Sequence, residues 1–77
     1  MNRSRRQKLQ EAVALGRRAM AIVQKVVDEE QNAIDNVPEN LQYTDAWASM
    51  EGAIDFLTDA ISDLESAEEN IAKAVIE

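Results

Sequence analysis

Alanine returns every seventh residue through the second half of the chain, at Ala46, Ala53, Ala60, Ala67 and Ala74. Larger apolar residues stand one and four positions further on: Trp47 and Met50, Ile54 and Leu57, Ile61 and Leu64, then Ile71 and Val75. A seven-residue apolar period keeps one stripe on one side of a helix, since seven residues make nearly two turns. The pattern predicts a long helix whose small-residue side accepts a close neighbour. It names neither a partner nor a reaction.

The first half carries its own version of the repeat: Ala12-Val13, Ala19-Met20, Val26-Val27 and Ala33-Ile34. From Leu9 onward, apolar or small residues fall in alternating steps of three and four, the period of an amphipathic helix. Leu15 and Ile22 widen the apolar arc to about half the circumference, more than contact with one neighbouring helix needs. Ser4-Arg5-Arg6-Gln7 fits a capping box at the helix start. Pro38 disfavours helical geometry at Val37 and stops the helix. Asn36 and Asn40 suit a turn. Thr44 is the expected N-cap of the second helix, with Asp45 well placed in its first turn. Gly52 is the weak spot of that helix, costing about 1 kcal/mol relative to Ala.

These signals predict one all-α domain over 1–77, an antiparallel two-helix hairpin of coiled-coil character. Helix 1 is expected over about 4–37, the turn over about 38–44 and helix 2 over about 45–76. A connection this short makes antiparallel neighbours. Two helices enclose no core, and a chain of 77 residues buries only about 60% of its unfolded surface even when compact. Dimerisation into a four-helix bundle is the expected remedy. Leu15, Ile22, Ala53, Ala60 and Ala67 are the candidate self-association residues.

The formal charge is −7, unevenly placed. Residues 1–25 hold seven of the eight basic residues and one acid, Glu11. The remaining fourteen acids lie after residue 25, with Lys73 the lone base among them. Basic residues at a helix start and acids at a helix end both oppose the macrodipole. Folding the chain back on itself brings those ends together as opposite charges. Counting back from the turn pairs Arg17 and Arg18 with Glu65 and Glu68, and Arg5 and Arg6 with Glu77.

Cysteine and histidine are absent, so neither a disulfide framework nor a usual zinc or haem site is expected. The basic start is followed by Gln10, Glu11, Arg17 and Arg18, which break any signal-like apolar run. A soluble cytoplasmic protein is the expectation. No nucleophile–base pair, glycine-rich phosphate loop or ligand cluster is visible, so no catalytic residue, metal ligand or cofactor is assigned and the chain does not read as an enzyme. Glu30 and Glu68 occupy seam positions. They read as rim residues, register-fixing polar residues, or charges kept for an arginine on a partner.

Glu51, Asp55, Asp59 and Asp63 form a stripe at i, i+4 spacing. Like charges so spaced cost about 0.2–0.5 kcal/mol per pair. A solvated face explains them blandly; a docking surface for a basic partner explains them sharply. Duplex DNA carries a charge about every 1.7 Å of axis, far denser than this stripe, so mimicry would need several chains. Phe56, beside the alanine row, is either a dimer contact or a partner-binding residue.

The stretch Asp28-Glu29-Glu30-Gln31-Asn32-Ala33-Ile34-Asp35-Asn36-Val37-Pro38-Glu39-Asn40-Leu41-Gln42, then Met50-Glu51-Gly52-Ala53-Ile54-Asp55 and the Ala-Ile heptads, resembles a group of small acidic proteins of Firmicutes genomes, phages and mobile elements. Pro-Glu-Asn-Leu-Gln is the most specific part. Tyr43-Thr44-Asp45-Ala46-Trp47 departs from the group's strongly charged run. The resemblance implies a helical hairpin and a mobile-element context, and nothing catalytic.

The expected function is a non-enzymatic protein–protein interaction module that self-associates. The alternative is a phage-encoded inhibitor of a host nucleic-acid enzyme, acting through its acidic face. The expected partners are a second copy of the chain and an unidentified, basic protein; neither a membrane nor nucleic acid is expected.

Overall fold

A computed structural model describes residues 1–76. Two long helices, α1 (Arg3–Asp35) and α2 (Asp45–Ile76), flank a short 3₁₀ turn at Glu39–Leu41. They lie side by side in an antiparallel hairpin with Cα extents of 60 × 15 × 12 Å. The expected all-α hairpin is the observed one. Its radius of gyration is 17.6 Å, against about 11.5 Å for a compact domain of this length. The molecule is a rod two helices wide.

The seam follows the sequence period. Apart from Ala19, Gln42, Gly52 and Ala60, the buried or half-buried positions run 9, 13, 16, 20, 23, 27, 30, 34 and 37 on one side, and 47, 50, 54, 57, 61, 64, 68, 71 and 75 on the other. In heptad terms these are the a and d positions of both helices. Burial is shallow. Ile34, 7% exposed, is the one buried side chain among the described residues.

The ends differ in detail from the sequence expectation. Asn2, not Ser4, caps α1: its Oδ1 accepts the Arg5 N–H at 2.9 Å, and its carbonyl accepts the Arg6 N–H at 3.1 Å. Ser4 lies inside the helix. Asn and Ser cap about equally well, so the box pattern lost to an equally good cap two residues earlier. At the other end α1 stops at Asp35, two residues short of the expected 37. The Val37 N–H turns back to the Ile34 carbonyl at 3.0 Å, a tightening that precedes Pro38. The Gln42 side-chain amide closes the turn onto the Val37 carbonyl at 3.5 Å.

Thr44 caps α2 as expected. Its Oγ1 accepts the Trp47 N–H at 3.3 Å and donates to the Leu41 carbonyl at 3.0 Å. Tyr43 sits just before it at φ 65°, a left-handed conformation that is costly for a bulky residue. Its ring meets the Trp47 ring, with centroids 5.0 Å apart and planes tilted by 54°. Such pairs contribute about 0.5–1.5 kcal/mol, which offsets part of the strain.

Candidate interaction surface

In an antiparallel helix pair the residues flanking the seam sort by heptad letter: e positions of both helices share one flank, g positions the other. Two cavities follow this sorting, and a third, of about 530 Å³, opens on the e side at the open end among Leu9, Gln10, Ala14, Ala72 and Ile76. Gln31 and Glu51, both at e, line one recess with Ile34 and Ile54. Ala12 and Ala67, both at g, line another on the opposite side with Gly16 and Met20.

The two flanks have different chemistry. On the e side stand Gln10, Arg17, Gln24 and Gln31 from α1, and Glu51, Thr58, Glu65 and Ala72 from α2. Gln24 and Gln31 each donate to the aspartate four residues on, Asp28 and Asp35, at 3.0 Å. Arg17 crosses to Glu68 of the facing helix. This is the ion pair that counting back from the turn predicts. Arg18 makes no such pair among the described residues, and the expected partner of Arg5 and Arg6, Glu77, lies outside them.

The g positions themselves are small or apolar from Ala12 onward. Ala12, Ala19, Val26 and Ala33 come from α1, and the alanine row comes from α2. Leu15 and Ile22 border it at 59% and 58% exposure, and Phe56 at 78%. All three occupy c positions, which alternate with g in steps of three and four. Ala12, Leu15, Ala19, Ile22 and Val26 therefore form a second apolar seam on α1, parallel to the one that packs on α2. Sequence reading found the wide apolar arc; that the extra residues of both helices face the same way follows from the antiparallel register.

The alanine row, three of whose members are candidate self-association residues, lies beside the seam. It does not form the close contact within the hairpin. Ala46, Ala53, Ala67 and Ala74 are exposed, and only Ala60 is half-buried. The larger residues of the seam hold the helices together, and the row faces outward beside them. Gly16, a seam residue, escaped notice in the sequence. A Cβ built there meets nothing within 4 Å, and the missing side chain leaves a recess of about 140 Å³ opening beside Ala12 and Ala67.

The acidic residues Glu51, Asp55, Asp59 and Asp63 are all exposed. They occupy e, b, f and c in turn, because each four-residue step advances around the helix by about 40°. The stripe winds over the outside of α2 rather than forming one flat face. Glu30 and Glu68, the seam acids, are half-buried. Among the described residues no group of three acidic side chains is placed to share a metal ion, and no helix is long and apolar enough to cross a membrane.

No protein-family model, characterised protein or solved structure matches the chain.

Proposed function

We propose that this chain is a non-enzymatic protein–protein interaction module that works as a self-associating helical hairpin. The observation that carries the reading is the uncovered apolar flank. The hairpin exposes 5980 Å², whereas a compact monomer of 8.6 kDa exposes about 4,700 Å². A compact particle of twice that mass exposes about 7,800 Å². Two hairpins reaching that state would bury about 4,000 Å² in total, within the range of obligate dimers. Joining g flank to g flank makes a four-helix bundle with the seam residues and Leu15, Ile22 and Phe56 inside.

Light scattering on a size-exclusion column at micromolar concentration tests this. The expected mass is twice 8.6 kDa; a well-folded species at the single-chain mass contradicts it.

A second reading rests on a separate observation. Residues 26–59 carry nine acids and no basic residue, so the turn half of the rod is a block of negative charge. Docking of a basic protein there, including inhibition of a nucleic-acid enzyme of a host, uses that charge. Replacing Asp55 and Asp59 with Asn should abolish such binding while leaving self-association intact.

A further inference from the structure

The rod is electrically lopsided along its axis, and the lopsidedness orients a partner copy. The turn half, residues 26–59, has a formal charge of −9 with no base in it. The open half combines the basic start of α1 with the end of α2, and sums to +2. Two copies laid side by side with their turns together set −9 against −9. Laid with their turns at opposite ends, each acidic half meets the other copy's basic arm. Juxtaposed like charges cost several kcal/mol at an interface, so this choice is not neutral.

The flank itself repeats the asymmetry. Arg5 and Lys8, at g and c, stand on the apolar flank at the open end, Glu29, at c, stands on it toward the turn, and Asp63, also at c, lies near the midpoint, level with Ile22. The apolar features are matched in the same sense. Cross-hairpin neighbours such as Arg17 with Glu68 fix the register. It places Phe56 level with Glu29, roughly nine residues to the turn side of the rod's midpoint near Met20. The Gly16 recess starts at Met20 and runs to Ala12 on the other side of that midpoint, with Arg17, Ala67 and Glu68 also on its lining. A two-fold axis through the midpoint brings the partner's Phe56 level with Ala12, at the mouth of the recess.

Resting on the self-association reading above, we infer that the second copy docks antiparallel on the g flank, with the two turns at opposite ends of the bundle. In this arrangement each Phe56 packs at the other copy's Gly16 recess. The recess thereby gains an occupant, and Phe56, the most exposed large residue of the flank, gains a socket. It also places both basic arms on both acidic halves.

The test uses the absence of cysteine. Asn40, exposed in the turn, is replaced by Cys and spin-labelled, and the distance between the two labels is measured by pulsed dipolar spectroscopy. The mass of the same sample is measured by light scattering. A dimer with labels about 50–60 Å apart, close to the rod's 60 Å length, supports the inference. A dimer with labels within about 25 Å, two helix diameters, overturns the orientation and leaves self-association standing. A monomer overturns both. Two further variants examine the socket. Phe56→Ala and Gly16→Leu should each weaken the dimer about tenfold or more without loss of helicity. An unchanged dissociation constant for both shows that Phe56 does not sit at the recess.

Discussion

The two flanks of the hairpin are built on one scaffold and one heptad period, yet they are finished differently. The e flank ends in glutamines, an ion pair and acids, and three of its polar groups find partners on their own hairpin. Gln24 reaches Asp28, Gln31 reaches Asp35, and Arg17 reaches Glu68. The g flank ends in alanines bordered by Leu15, Ile22 and Phe56, and none of these meets a partner large enough to cover it. An amphipathic helix needs one apolar stripe to pack on one neighbour. α1 has two such stripes. The difference teaches that the hairpin contact uses only part of the apolar pattern of this chain, and it is the uncovered remainder on the g flank that supports the proposed self-association.

The largest test of that contrast places a charge in each flank. Ile22→Asp should split the dimer and lower its stability by about 3–5 kcal/mol, because an unpaired charge would be buried. Gln24→Asp, on the polar side, should stay within about 0.5 kcal/mol. Mass by light scattering and urea unfolding read both. Equal effects would erase the distinction between the flanks.

Ala60→Leu should cost about 1–3 kcal/mol through overpacking of a close contact. Ala60 is the half-buried member of the otherwise exposed row, so the loss should be larger in the proposed dimer than in a lone hairpin. An unchanged or raised melting temperature would show that the row faces water. Gly16→Ala should act in the opposite direction. It replaces a poor helix former with a good one, and the new methyl meets nothing. A gain of about 1 kcal/mol is expected in thermal unfolding.

The smallest effect belongs to the polar flank. Exposed ion pairs contribute about 0–1 kcal/mol and are screened by salt. Reversing Arg17 and Arg18 to Glu should destabilise the protein at low salt, with added salt recovering part of the loss. Equal stability of the variant at low and high salt would show that the basic arm is no fold element.

Much of the fold was legible because a heptad period is long, regular and tied to one geometry. The seam residues, the Thr44 cap and the Arg17–Glu68 pair all follow from period, cap chemistry and counting back from the turn. Three features were not legible. Asn2 outcompeted the Ser4 box because both residues cap well and sequence alone does not rank them. Tyr43 adopts a left-handed conformation that its side chain disfavours, held between the Thr44 cap and the Trp47 ring. The outward position of the alanine row was hidden because a row of small residues beside a seam suits either an inner or an outer contact. Only the register of α2 on α1 shows that Ala12, Leu15, Ile22, Phe56 and the row share one flank. The acidic stripe misled in a related way, since i, i+4 spacing looks like one face over two steps and winds off it over three.

The central claim is that the g flank is covered by a second copy. Sedimentation equilibrium of the wild type and Ile22→Asp, at the same micromolar concentration and with helicity recorded on both, tests it most directly. The account predicts twice 8.6 kDa for the wild type and the single-chain mass for the variant. Finding the single-chain mass for both, with the wild type unfolding cooperatively, would contradict it.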